Sequence, residues 1–172
     1  MRFLSIIFFT LFLSLSYGQT SSNNRVSPLD TVELHNEDLN IKITYSRPFL
    51  KGREFGKDIV PFGRLWRTGA NEATIFETNR DLLVEGQELK AGKYSLYSIP
   101  DAEETTIIFN KVWNQWGTQY DKSQDVLRVN VPTIFTDYSS EQFTIDLDEA
   151  GAACLTWGNS IFTFHFEKLN DE

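Results

Sequence analysis

The segment Leu39-Asn-Ile-Lys-Ile-Thr-Tyr-Ser46 alternates apolar and polar side chains with a period of two. In an extended chain, Ile41, Ile43 and Tyr45 fall on one face, and the polar residues between them fall on the other. This alternation is typical of a β-strand that buries one face. The segment therefore predicts a half-buried strand, and the rest of the chain can be examined for strands to pair with it.

Several short runs of β-branched and aromatic residues, bounded by turn residues, follow this segment. They predict strands over 73–78, 81–84, 93–99, 105–112, 125–131 and 142–147, then a hairpin of 154–157 and 160–167 joined by Gly158-Asn159. No amphipathic helix stands out. We expect an all-β fold, a single antiparallel β-sandwich or barrel of about 8–10 strands. The pattern leaves sandwich and barrel open.

One connection, residues 47–72, is much longer than the turns between the other predicted strands. Connections longer than about 12–15 residues without regular structure are usually functional or disordered. This one contains Phe49, Phe55 and Trp66 among other apolar residues, which is too apolar a composition for disorder. We therefore expect a long ordered connection that packs against the β domain.

The same connection is basic, although the chain as a whole carries a net charge of -8. Six lysines or arginines and two acidic residues lie between Arg47 and Arg67. One hypothesis is that Arg47, Arg53, Arg64 and Arg67 bind a carboxylate, sulfate or phosphate group. The other is that these arginines form internal ion pairs that hold the connection on the sheets. Both remain open from the sequence.

Neighbouring residues could complete a ligand site. Trp66 and Trp116 could stack on a ligand, and Asn71 and Glu72 could form hydrogen bonds with it. Glu72 is also a candidate catalytic acid or base if its pKa is raised, and Asp121 could then be its partner in a glycosidase-type carboxylate pair. The alternative interpretation is a turn capped by Asn71, with Glu72 paired to Arg67 or Arg64.

Other classes of site find little support in the sequence. His35 and His165 do not have the spacing of a metal site, and zinc or copper centres need three or four converging ligands. The single cysteine, Cys154, excludes an intramolecular disulfide framework and a thiolate zinc cluster. The acidic net charge disfavours general binding to nucleic acid. We expect no metal, no cofactor and no nucleic-acid partner.

The N-terminus has the pattern of a secretory signal peptide. Met1 and Arg2 precede an apolar run over 3–15, and Ser16-Tyr17-Gly18 offers small residues at a cleavage site. The run is shorter than the roughly 20 residues that a membrane-spanning helix needs. We expect a signal peptide over 1–18, a flexible leader over 19–38 and a single β domain over 39–168. The protein would then be exported, periplasmic or secreted, with no membrane span after signal removal.

Three stretches carry a resemblance to a known family. They are Tyr45-Ser-Arg-Pro48, Val60-Pro-Phe-Gly-Arg-Leu-Trp-Arg-Thr-Gly-Ala-Asn-Glu-Ala-Thr74 and Leu89-Lys-Ala-Gly-Lys-Tyr-Ser-Leu96. With them, residues 39–167 resemble the exported bacterial family known as domain of unknown function 2911, common in Bacteroidetes-type bacteria. The resemblance implies export and one β-rich domain. It implies no established activity and assigns no catalytic residues.

Three functional hypotheses follow. The first is a non-enzymatic exported module that binds a small anionic or carbohydrate-like ligand. The second is a cell-envelope glycan hydrolase or lyase that uses Glu72 as its acid or base. The third is a structural or assembly domain with a protein partner, in which the arginine-rich connection serves as scaffold.

Overall fold

A computed structural model describes residues 25–169 of the chain. The predicted signal peptide and the first part of the predicted leader lie outside the described residues. The strands are β1 (Leu29–Asn36), β2 (Leu39–Ser46), β3 (Phe55–Gly56), β4 (Ile59–Pro61), β5 (Thr74–Thr78), β6 (Leu82–Val84), β7 (Gln87–Leu89), β8 (Gly92–Ile99), β9 (Glu104–Asn110), β10 (Asp125–Leu147) and β11 (Ala152–Lys168). A short 3₁₀ helix at Lys122–Gln124 precedes β10. None of the helical structure within 25–169 is long and apolar enough to cross a membrane.

Nine strands form one antiparallel sheet in the order β1-β2-β5-β8-β9-β10-β11-β6-β7, and β3 and β4 form a separate parallel pair. The sheet does not close into a barrel. The long strand β10 joins its two parts, because residues 125–132 pair with β9 and residues 133–147 pair with β11. The predicted all-β antiparallel fold is confirmed. Of the two architectures that the sequence left open, the barrel is not the one that the sheet forms.

The hydrophobic core lies between the two parts of the sheet. Phe76 of β5 and Phe109 of β9 contact Phe164 of β11, with ring centroids 6.2 and 5.7 Å apart. Ile41 and Ile43 are fully buried, as the alternation in β2 predicts. Burial of one such side chain contributes about 1.5–3 kcal/mol relative to its exposed state. These contacts hold the two parts of the sheet face to face.

The predicted flexible leader overlaps a strand. Within 19–38, Leu29–Asn36 forms β1, which pairs antiparallel with the whole of β2. Leu34 is buried in the core, although the surrounding residues are mostly polar. The sequence interpretation missed this strand because its stability comes mainly from pairing with β2, and local composition does not show that pairing.

The predicted hairpin at Gly158-Asn159 is wrong, because β11 runs without interruption from Ala152 to Lys168. Gly158 has φ +61 and lies opposite Ser140, where the register between β10 and β11 shifts. Its left-handed backbone therefore accommodates a bulge in place of a turn. The strands predicted over 125–131 and 142–147 likewise belong to the single strand β10.

The 47–72 connection is ordered, as predicted, and is attached to both parts of the sheet. Trp66 exchanges two backbone hydrogen bonds with Ser98 of β8, at 2.7 and 2.8 Å. The Phe143 amide of β10 donates to the Pro48 carbonyl at 2.9 Å. These bonds place the connection beside β8 and β10, where it forms much of the wall of a cleft.

Candidate functional site

A cleft of about 370 Å³ is formed by residues of the 47–72 connection, β8, β11 and the loop that follows β9. Its volume lies within the usual range of small-molecule sites, roughly 300–1,000 Å³. The apolar side chains of its lining are Pro48, Ile59, Val60, Leu65, Trp66 and Trp157, with Ala70 beside them. The polar side chains are Arg67, Tyr97, Thr118 and Tyr120.

Arg67 supplies the positive charge of this cleft. Its side chain is partly buried, and it makes no hydrogen bond or ion pair with any residue of 25–169. The aliphatic part of the Arg67 side chain lies against Gly117. A Cβ atom added at Gly117 would collide with Arg67 Cδ and would lie 2.9 Å from the Asn71 carbonyl oxygen. Burial raises the pKa of Tyr97, and the charge of Arg67 partly offsets this rise. Arg67 therefore shares the cleft lining with Tyr97 and is not neutralised by a described residue.

The backbone after Arg67 has an unusual conformation. Thr68, Gly69 and Asn71 have φ values of +49, +154 and +61, and a left-handed φ is uncommon for a β-branched residue. Thr74 Oγ1 donates to the Thr68 carbonyl at 2.6 Å, and Trp66 Nε1 donates to the Gly69 carbonyl at 3.0 Å. Backbone strain of this kind tends to concentrate at functional sites. These bonds hold the turn in one conformation and orient Arg67.

The two cleft tyrosines are engaged by other protein groups. Their rings lie 4.8 Å apart, and Gln115 Nε2 donates to Tyr97 Oη at 3.1 Å. Tyr120 Oη donates to Asp125 at 2.6 Å and accepts from Arg128 at 2.7 Å. Burial, and then the hydrogen bond to Asp125, raise the pKa of Tyr120 to about 12. Tyr120 consequently stays protonated near neutral pH, and its ring has a fixed position in the cleft wall.

Two of the predicted ligand-binding arginines are engaged by other protein groups. Arg47 forms an ion pair with Asp30 at 2.9 Å, and its Nε donates to the Phe143 carbonyl at 3.1 Å. Arg53 donates from Nε to the Leu50 carbonyl at 2.8 Å. For Arg47 the structure has the ion pair to a sheet residue that the second interpretation of the basic segment predicts, whereas Arg53 donates to backbone carbonyls within the connection itself.

The other predicted ligand-binding residues are spread over several environments. Trp66 is buried and stacks on Trp157 at 5.3 Å, so it belongs to both the core and the cleft wall. Arg64 is exposed, and Trp116 is 48% exposed; neither lines the cleft. The Asn71 side chain donates to a backbone carbonyl of the N-terminal segment. Of the predicted set, the cleft lining therefore combines only Trp66 and Arg67.

Glu72 lies outside the cleft lining and is paired. Arg25 donates to its two carboxylate oxygens at 2.6 and 2.9 Å, and this interaction is the main cause that lowers the pKa of Glu72. Hydrogen bonds from Ser123 likewise lower the pKa of Asp121, which caps the short 3₁₀ helix. A general acid needs a raised pKa. The lowered pKa of Glu72 does not fit the role of catalytic acid, whereas the partner carboxylate of such a pair works in its ionised form.

A comparison with protein-family models places these residues in a family. Residues 27–166 match the family described as Protein of unknown function (DUF2911). The chain belongs to this family. Searches of curated proteins and of solved structures found no match. The resemblance carried by the Val60–Thr74 segment is thus confirmed at the level of the family.

The cleft of this DUF2911 domain includes residues that sequence reasoning missed. Side chains alternate along a strand, so Tyr97 lies on the face of β8 opposite to the core residue Leu96, and such an outer face is usually exposed. The loop that follows β9 covers that face, so Tyr97 is fully buried. Gly117 and Tyr120 belong to this loop. The pair Trp116-Gly117 is the one local sequence signal that another side chain approaches the loop backbone closely. Within 25–169, no group of three or more His, Cys, Asp or Glu side chains is placed to hold a metal ion.

Proposed function

We propose that this DUF2911 domain is a non-enzymatic module that binds a small anionic ligand in the cleft beside Arg67. The observation that carries the proposal is a partly buried arginine, Arg67, without a partner in 25–169, in a lining that is otherwise mostly apolar. An anion placed here could pair with Arg67 through charge-assisted hydrogen bonds. The cleft is therefore suited to an anion.

The rigidity of the cleft supports a binding role. Gly117 lets the stem of Arg67 lie against the loop, and the left-handed turn at 68–71 is held by side-chain hydrogen bonds. Val60, also in the lining, has a φ of +51, which a β-branched residue rarely adopts. A site that is already ordered loses less conformational entropy when its ligand binds.

The surroundings of Glu72 favour binding over catalysis. Arg25 holds both of its carboxylate oxygens, and its lowered pKa keeps it ionised. An ionised, paired carboxylate outside the cleft is a poor candidate for the acid of a glycan hydrolase. The bonds of Arg47 to the sheet and of Arg53 within the connection are compatible with a binding module, because they leave Arg67 as the available arginine of the cleft lining.

Substitution of Arg67 by Ala is expected to weaken anion binding at least tenfold, since it removes the charged donor. The measurement is a thermal-shift screen of the chain from Gln19 onward with small carboxylates, sulfate, phosphate, uronic acids and neutral oligosaccharides. Titration calorimetry then quantifies each ligand that shifts the melting temperature. A ligand at 100 times its Kd stabilises the fold by about 2.7 kcal/mol, which such a screen detects.

Arg64→Ala is the matched control, because it removes the same charge three residues earlier, outside the cleft lining. The control should bind with unchanged affinity, and circular dichroism should show that both variants are folded. The proposed function is wrong if no anion binds, or if the two variants lose affinity equally.

We also propose that the protein is exported, on the basis of the signal-peptide pattern over 1–18. The expected mature protein begins at Gln19, and intact-mass spectrometry of protein recovered outside the cytoplasm measures its N-terminus. Exported protein that retains Met1 would contradict the proposed cleavage.

A further inference from the structure

The cleft has few polar groups available to a ligand, and this restricts the ligand's chemistry. Arg67 is available, and Thr118 contributes an exposed hydroxyl. The Tyr120 hydroxyl already donates to Asp125 and accepts from an arginine, and the Tyr97 hydroxyl accepts from Gln115. A bound molecule can therefore form strong polar contacts mainly at one end, where the guanidinium lies.

The remainder of the lining is unsuited to a polyhydroxylated ligand. Pro48, Ile59, Val60 and Leu65 offer the cleft only hydrocarbon side chains. Each sugar hydroxyl placed against them would lose its hydrogen bonds to water without replacement, at a cost of about 1–3 kcal/mol. An uncharged hydrocarbon group would gain from the same contacts, because burial of apolar surface is favourable.

The number of charges points to a monoanion. Arg67 is the only Lys or Arg in the lining of this cleft, as far as residues 25–169 show. A dianion such as phosphate would place its second charge in apolar surroundings without a partner. The planar guanidinium fork matches the two oxygens of a carboxylate, and the Gly117 contact restricts where the fork can lie.

We propose that the ligand of this cleft is a monocarboxylic acid with an apolar body. Its carboxylate would pair with Arg67, and its body would lie against the hydrocarbon and indole groups of the lining. This inference rests on the proposed anion-binding function and narrows it to one chemical class. It replaces the carbohydrate-like ligand among the sequence hypotheses with a hydrophobic acid.

The test is titration calorimetry of the chain from Gln19 onward with four organic probes and inorganic phosphate. Phenylacetate and octanoate represent the proposed class. Phenylacetamide has nearly the shape of phenylacetate without its charge, and glucuronate has the charge with a hydroxylated body. We expect both hydrophobic acids to bind, and the amide and glucuronate to bind at least tenfold more weakly. Inorganic phosphate should also bind at least tenfold more weakly than the acids.

Two variants test whether the guanidinium of Arg67 binds the carboxylate of the ligand. Arg67→Lys keeps the charge and loses the two-pronged geometry, so affinity for phenylacetate should fall severalfold. Arg64→Ala should leave that affinity unchanged. The comparison of acid and amide on the unmodified protein tests the same point if the Arg67 variant does not fold.

The outcomes separate this inference from the proposed function. If glucuronate or phosphate binds more tightly than the hydrophobic acids, and this binding depends on Arg67, the hydrophobic-acid class is wrong and the anion-binding function stands. Equal binding of phenylacetate and its amide also overturns the class, because recognition would then not involve the carboxylate. If no anion binds, including those of the wider screen, both the hydrophobic-acid class and the anion-binding function are wrong.

Discussion

Replacement of Trp66 by Ala is expected to lower the free energy of unfolding by about 3–5 kcal/mol, the usual cost of deleting a large buried aromatic side chain. The Trp66 side chain stacks on Trp157 at 5.3 Å and meets Phe143 edge-on at 4.8 Å. Its Nε1 also donates to the Gly69 carbonyl at 3.0 Å. The substitution would leave a cavity in the core and release the turn beside Arg67. Urea denaturation followed by circular dichroism measures the loss.

The matched control is Trp116→Ala. Trp116 is 48% exposed, so truncation of this indole should change the stability by no more than about 0.5 kcal/mol. From the sequence alone, both tryptophans have the same predicted role, stacking on a ligand. Similar losses for the two variants would show that Trp66 does not have the core role described here.

Replacement of Arg47 by Ala is expected to lower the free energy of unfolding by about 2–3 kcal/mol. The side chain donates to Asp30, to the Phe143 carbonyl and to Thr144 Oγ1, and so joins the start of the connection to β1 and β10. Hydrogen bonds that involve a charged group contribute about 1.5–3 kcal/mol when sheltered. The side chain is 27% exposed, and the ion pair to Asp30 is partly screened by solvent, which keeps the expected total below the sum of its bonds.

Two further variants make this prediction specific. Arg64→Ala removes an exposed arginine of the same segment and should change stability by less than about 0.5 kcal/mol. Arg47→Lys keeps the charge and cannot reach all three partners at once, so its loss should be intermediate. Chemical denaturation of the unmodified protein and the three variants measures these changes in the free energy of unfolding. A loss for Arg47→Ala no larger than that for Arg64→Ala would refute the structural role.

Local pattern was sufficient for many of the strands. The alternation over Leu39–Ser46 predicted β2 with the bounds that the structure has, because each residue's face follows directly from the period of an extended chain. The same reasoning failed at Gly158-Asn159, a pair that favours a turn in isolation. There the pairing with β10 continues across the glycine, and a local signal is overruled by a partner strand about 18 residues away in sequence.

The candidate site depended far more on distant contacts. Arg47 and Arg67 are equivalent in composition and lie in one basic segment. One is bonded to β10, nearly a hundred residues later, and the other faces the cleft without a described partner. Glu72 was expected to pair with an arginine of the connection, and its actual partner is Arg25. Sequence spacing carries no information about such pairs.

The sequence by itself determined the β class, the positions of many strands along the chain, the ordered state of the 47–72 connection and the family. These properties follow from local periodicity, composition and one specific segment. Only the tertiary structure decided which arginine stays available, which tryptophan is buried and where the cleft lies. The physical reason is that burial and hydrogen-bond satisfaction depend on groups brought together by the packing of Arg67, Gly117 and Tyr97 from three separate parts of the chain.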